Sequence, residues 1–157
     1  MHPKGTPEPD SGYAPDNPLY LVRGELAIYK KLNHPNVIRL IEVLDDQNSD
    51  SLFMVFEMCS KGAMMDITLD KDAKPLDPEL TWDYFRQIVL GMEYLHESGV
   101  IHRDIKPDNM LVTEEGVLKL VDFGVSSMFS KGNDNVASSA GSPAFMAPVR
   151  FLRCVNG

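Results

Sequence analysis

The sequence predicts a mixed α+β domain without a parallel sheet. Three observations lead there. Two segments carry apolar residues at spacings of three and four, each opened by a capping side chain followed by proline. Two pairs of short runs rich in branched residues are each split by a polar turn. The order along the chain is helix, hairpin, link, long helix, hairpin, loop, which lacks the strand–helix alternation of a parallel sheet.

Taken in order, residues 1–16 hold Pro3, Pro7, Pro9 and Pro15 among few apolar residues. Proline fixes φ and removes a donor, so this stretch reads as a mobile arm, outside helix or sheet. Asn17-Pro18 is a helix start by cap-then-proline logic. Leu19, Val22, Leu26 and Tyr29 form its apolar stripe to about Leu32, and Gly24 weakens it by about 1 kcal/mol relative to alanine. His34-Pro35-Asn36 closes it. Val37 to Leu44 and Ser51 to Glu57 read as two strands of a hairpin across the polar turn Asp45–Asp50. Ser60-Lys61-Gly62 is a link, and a short helix is expected near Ala63 to Ile67. Asp77-Pro78 opens the long helix, with Leu80, Tyr84, Ile88, Met92 and Leu95 as its buried stripe and Gly99 as its stop. Met110–Thr113 and Val117–Val121 flank the turn Glu114-Glu115-Gly116. Beyond Asp122 no long periodic segment follows, and there are no internal repeats.

The chain has 157 residues, 43% of them apolar, which suits one ordinary globular domain. No apolar run is long enough for a spanning helix, and the N-terminus lacks the apolar core of a secretory signal, so no membrane partner is expected. Cys59 and Cys154 lie far apart without metal-ligand spacing and read as two reduced thiols, which points to the cytoplasm or nucleus. The formal charge of −8 argues against a nucleic-acid partner and reads as a solvated acidic surface.

The chemistry sits in two motifs. His102-Arg103-Asp104-Ile105-Lys106-Pro107-Asp108-Asn109 follows the long helix, and Asp122-Phe123-Gly124 follows the second hairpin. Phosphoryl transfer is mostly positioning and charge stabilisation. A carboxylate that orients an attacking hydroxyl fits Asp104, and a cation that steadies the moving group fits Lys106. Magnesium prefers oxygen ligands and keeps some of its waters. Asn109 and Asp122 supply an amide oxygen and a carboxylate, and the hairpin between them folds the chain back so that both can meet one metal cluster. A lone Asp-Phe-Gly says little, because such triplets often only make turns. Nine motif positions in this order, separated by strand–turn–strand, say much more.

On these residues the chain resembles eukaryotic protein kinases, and Lys106, two residues after Asp104, resembles the serine/threonine type. Gly141 to Pro148 (GSPAFMAP) resembles the substrate-docking end of the activation segment. The segments ELAIYKK (25–31), LIEVLDD (40–46), VFEMCSKG (55–62) and AFMAP (144–148) resemble the calcium/calmodulin-dependent protein kinase kinase group. The resemblance covers residues 18–148, between the arm 1–17 and an unmatched tail 149–157. It implies a partial N-lobe (helix C and its hairpin) joined to the first part of the helical C-lobe, with ATP and Mg2+ as cofactors. Glu25 resembles the helix glutamate that pairs with the ATP-anchoring lysine. Phe56 resembles the gatekeeper, Glu57 and Cys59 would offer backbone groups to adenine, and Leu111 would pack beneath it. Tyr29, Leu40, His102 and Phe123 would stack as a regulatory spine, although Tyr29, Leu40 and Phe56 also fit plain core packing. Cys59 equally fits a small half-buried hydrophobe. Arg103 could bind a phosphate on the activation segment, near Ser138, Ser139 and Ser142. For Ser138 and Ser139 a serine-rich mobile loop is the simpler reading. Ser142 is expected to hydrogen-bond toward Asp104 and Lys106.

The departures from the family count too. A glycine-rich phosphate loop is expected before the helix holding Glu25, and none stands there. Lys4 is the only lysine before Glu25, in a proline-rich setting that suits no strand. Val149 stands where the family has glutamate. The expectation is a kinase domain truncated at both ends, with an exposed apolar face on the long helix and no detectable phosphoryl transfer by the chain alone. Calmodulin is not expected as a partner. The partners implied are ATP and a protein substrate, such as a downstream kinase. The alternative is a catalytically inactive kinase-derived binding module. A small-molecule phosphotransferase is disfavoured by Lys106 and by Gly141–Pro148, which suit a protein substrate.

Overall fold

A computed structural model describes residues 18–45, 51–67, 74–128 and 141–148. The arm 1–17, residues 46–50 of the expected polar turn, Ser138, Ser139, Cys154 and the tail 149–157 lie outside the described residues.

Helix α1 runs Pro18–Lys31. Its inner face buries Ile28 and Tyr29, with Leu32 buried just beyond its end. Lys30 and Lys31 occupy the last turn, where cations suit the helix dipole. Lys31 Nζ also donates to the Ser98 carbonyl at 2.6 Å. Ser98 is the C-cap residue of helix α2, Pro78–Glu97. Asp77 caps α2 as the sequence predicts, accepting the Glu79 and Leu80 N–H groups at 2.9 and 3.3 Å. Ser98 and Gly99 close it with N–H bonds to the Tyr94 and His96 carbonyls.

Strands β1 (Leu40–Asp45) and β2 (Leu52–Phe56) form an antiparallel pair with a bulge between Leu40 and Glu42. A three-stranded sheet follows the order β3 (Gly62–Ala63), β5 (Met110–Val112), β6 (Leu118–Leu120). Two-residue strands β4 (Val100–Ile101) and β7 (Ser127–Met128) pair separately. The core lies between α1, α2 and the β5–β6 hairpin, around Leu95, Val100, Leu118, Leu120 and Phe123. No helix among the described residues is long and apolar enough to cross a membrane.

Three expectations are corrected. The first strand begins at Leu40, not Val37. Val37 forms a parallel bridge with Leu120, and Ile38 N–H donates to the Leu120 carbonyl at 2.9 Å, so these branched residues serve the second sheet. The expected helix at 63–67 is strand β3 and a bend. Gly62, at φ +70°, reverses the chain, and Met64 N–H then takes the Met110 carbonyl at 2.8 Å on the β5 edge. Leu80 is 39% exposed, because the buried face of α2 starts at Tyr84. The outer face of α2 leaves Trp82, Phe85, Val89 and Leu90 exposed.

The link between α1 and β1 is pinned from two directions. Asn36 Nδ2 donates to the Leu118 carbonyl at 3.0 Å and to Gln87 Oε1 at 2.9 Å. The same Gln87 oxygen accepts Leu118 N–H at 2.7 Å. Replacing Asn36 by alanine leaves those groups short of a donor inside the fold. Asn36→Ala is expected to cost about 1–3 kcal/mol and Leu95→Ala about 2–5 kcal/mol, read from urea denaturation midpoints.

Candidate active site

The loop from His102 to Asn109 lies between β4 and β5 and ends in a 3₁₀ turn, Pro107–Asn109. His102 is fully buried. Its Nε2 lies 2.9 Å from the Val121 carbonyl, and Asp104 N–H lies 3.4 Å from its Nδ1. One tautomer satisfies both contacts: Nε2–H donates and Nδ1 accepts. Burial pushes the imidazole pKa down, so the ring stays neutral. Its ring is 5.1 Å from that of Phe123, and Phe123 lies 5.1 Å from Tyr29 at 90°. Three of the four expected stacking residues therefore form one column, with Leu40 packed against the same core.

Asp104 is 8% exposed and gathers the site. Its Oδ1 accepts Ser142 N–H at 2.8 Å. Its Oδ2 accepts Lys106 Nζ at 2.8 Å and Asn109 Nδ2 at 3.0 Å. Lys106 Nζ also donates to Ser142 Oγ at 2.8 Å. Burial pushes the Asp104 pKa upward, but the Lys106 and Ser142 bonds outweigh it and hold the carboxyl at about 2. The Asp104 bond in turn raises the pKa of Lys106. A carboxylate offers about four acceptor sites. Lys106, Asn109 and both the N–H and the hydroxyl of Ser142 supply donors to that of Asp104, so the carboxylate is held in one place and orientation.

Asn109 Nδ2 is also held by the Asp104 carbonyl at 2.9 Å, so its amide oxygen is the atom left over. Val121 N–H donates to the Asn109 carbonyl at 3.1 Å, which sets Asn109 beside Asp122. Asp122 takes a left-handed φ of 65°, as Arg103 does at 71°. Such strain in a non-glycine residue persists only where surrounding contacts over-determine it. The Arg103 guanidinium bonds the Val125 carbonyl, and a Cβ at Gly141 would stand 2.5 Å from the Arg103 carbonyl, so only glycine fits there. Glu25 has its pKa raised by burial first and by the Asp122 charge, against a lowering bond from Tyr29. A Cβ at Gly124 would meet Asp122 Oδ1 at 3.2 Å and Glu25 Oε2 at 3.8 Å, so this loop brings the two carboxylates near each other. No group of three or more His, Cys, Asp or Glu side chains with metal-site geometry occurs among the described residues.

A cleft of about 450 Å³ opens beside Asp122, lined by Phe56, Glu57, Cys59, Leu111 and Val121 among others. The expected cofactor residues Glu57, Cys59, Leu111 and Asp122 thus share one cavity, while Asn109, Asp104 and Lys106 form the adjoining cluster. Glu57 N–H donates to the Arg39 carbonyl at 3.1 Å, and the Cys59 carbonyl accepts Gly62 N–H at 3.1 Å. Among the described residues nothing takes the Glu57 carbonyl or the Cys59 N–H. Burial, with the Glu57 charge, raises the Cys59 thiol pKa.

The protein kinase domain model matches residues 14–154. The chain belongs to the protein kinase family. Among curated proteins, a calcium/calmodulin-dependent protein kinase kinase of Caenorhabditis elegans is 52% identical over 140 residues, covering 89% of this chain and 25% of that protein. A protein of the same designation from Emericella nidulans is 56% identical over 97 residues, 61% of this chain and 19% of that one. A serine/threonine-protein kinase of Schizosaccharomyces pombe is 46% identical over 132 residues, covering 81% and 20%. The chain thus spans a quarter or less of the length of these relatives. As in the kinase pattern read from the sequence, the loop residues and the Asp122-Phe123-Gly124 turn converge. One side chain escaped that reading. Lys119, inside the run Leu118-Lys119-Leu120, reads as an outward-facing residue of a short strand, yet it is buried and paired with Glu57.

The low Asp104 pKa carries a sign. Its folded value of about 2 lies below the ordinary 3.8, so the charged form adds stability above pH 4, and this is lost as pH falls through 2. The contribution is on the order of 2 kcal/mol. Asp104→Asn is expected to flatten the fall in unfolding free energy between pH 4 and pH 2, measured by urea titration at each pH.

Proposed function

We propose that this chain forms the nucleotide cleft and catalytic loop of an ATP-dependent serine/threonine protein kinase, which transfers the γ-phosphoryl group to a protein hydroxyl. The observation that carries this reading is the Asp104 carboxylate, fixed by Lys106, Asn109 and Ser142 at the edge of the cleft cluster. A group with a pKa near 2 is a weak general base at neutral pH. Asp104 therefore acts by orienting the attacking hydroxyl, and Lys106, already beside it, meets the charge of the transferred group.

The residues fit Mg·ATP. Adenine presents a donor and an acceptor on one edge, which suits the untaken Glu57 carbonyl and Cys59 N–H. Leu111 and Val121 give apolar faces to the cleft. The free amide oxygen of Asn109 and the carboxylate of Asp122 would hold magnesium, which draws its remaining oxygens from phosphate and water. When bound, Mg·ATP supplies the activated phosphoryl group and neutralises the charge developing on it. The partners that follow are ATP and protein substrates bearing Ser or Thr. The two cysteines, read as reduced thiols, fit a cytoplasmic or nuclear setting.

The test is a thermal melt with and without Mg·ATP. A ligand at one hundred times its dissociation constant stabilises by about 2.7 kcal/mol. The midpoint of the unmutated chain is expected to rise with Mg·ATP, and that of Asp122→Asn to stay put. Asp104→Ala is expected to keep the rise, since Asp104 serves the acceptor hydroxyl and not the nucleotide. An unmoved midpoint in the unmutated chain overturns the reading.

A further inference from the structure

We propose that Lys119 is a positioning residue that sets the Glu57 carbonyl for base recognition in the cleft. This rests on the nucleotide reading above and adds a selectivity element to it. Lys119 lies mid-strand in β6, between two fully buried leucines, and is itself 8% exposed. A buried ammonium is costly unless paired. Its partner is Glu57 Oε1, at 2.9 Å.

The same Glu57 oxygen accepts Arg39 N–H at 2.8 Å, while Glu57 N–H donates to the Arg39 carbonyl at 3.1 Å. Three bonds thus hold one residue, two from the approach to β1 and one from β6. The carbonyl alone stays untaken. Lys119 also pairs in register with Leu111 across β5 and β6. Cross-strand partners share a face of the sheet. Leu111 lines the cleft and Lys119 braces its rim, so one register position links the two walls. A shift of the Glu57 carbonyl would act on the base and leave the phosphates alone. Adenine offers a donor to that carbonyl, whereas guanine offers an acceptor in the same place. The placement of Glu57 therefore sets a preference between the two purines.

The experiment is isothermal titration of the full 157-residue chain with Mg·ATP, Mg·GTP and Mg·tripolyphosphate. Lys119→Met is expected to weaken ATP about tenfold, the equivalent of one misplaced hydrogen bond. Tripolyphosphate should be unmoved, and the ATP-over-GTP preference should shrink. Lys119→Arg, which keeps the charge and the donor, should restore ATP to within about threefold. If Lys119→Met misfolds, Glu57→Gln serves in its place, because it removes the ion pair and keeps an acceptor for Arg39 N–H. Equal weakening of all three ligands, or unchanged ATP binding, overturns the proposal.

A second readout needs no nucleotide. With Cys154 replaced by serine, Lys119→Met should speed alkylation of Cys59 by iodoacetamide about threefold or more, as the rim loosens. Loss of the Lys119 charge by itself would slow that reaction, since the charge lowers the thiol pKa. A faster rate therefore reports motion, and an unchanged or slower one overturns the brace. An unmutated chain that binds no Mg·ATP but passes the alkylation test overturns the nucleotide reading and leaves the brace standing.

Discussion

Asn36 is the point where the separate pieces of this fold meet. Its side chain bonds β6 and α2 at once, and its own carbonyl takes Leu120 N–H at 2.9 Å. Gly91 of α2 lies so close that a Cβ there would stand 3.0 Å from the same carbonyl and 2.9 Å from Leu120 Cδ1. The α1–β1 link therefore cannot move away from α2 without exposing unpaired polar groups, which is costly in a buried place. A second set of contacts closes the same seam at its rim. Tyr94 of α2 stacks on His34 at 4.9 Å and accepts Asn33 N–H at 2.8 Å. The seam leads directly into Ile38, which lines the cleft.

The site shows how strain and charge support each other. Left-handed backbone at Arg103 and Asp122 costs on the order of 1–3 kcal/mol each. The Arg103–Val125 bond and the approach of Gly141 hold the first, and the Gly124 N–H on Asp122 Oδ1 at 3.2 Å supports the second. With the backbone so turned, Asp104 and Asp122 face neighbouring groups while Lys106 supplies the nearby cation. The neutral, buried His102 adds no charge and anchors the loop to Val121 and Phe123.

The parts legible from sequence are those governed by near neighbours. Asp77 caps α2 through N–H groups two and three residues on, and the Glu114–Gly116 turn closes with Gly116 N–H on Thr113. The motif residues were legible because their order and spacing are tied to the hairpin between them. What escaped depends on distant partners. Val37 looks like strand and is claimed by Leu120; residues 63–67 look helical and meet the open edge of β5; Leu80 fits the stripe but lies beyond the sheet that would cover it. Strands β4 and β7 have two residues each, too few to show a period. Lys119 alternates like a surface residue, and its burial follows only from Glu57, far away in sequence.

The one tryptophan of the chain is Trp82, 67% exposed on the outer face of α2 and stacked on Phe85 with ring centroids 5.6 Å apart. It lies on the opposite side of that helix from the residues that pack on the sheet. Intrinsic indole fluorescence is therefore a local gauge of this apolar face. Its emission colour and access to a dissolved quencher report whether the outer face of α2 meets water or another surface, without any label being attached.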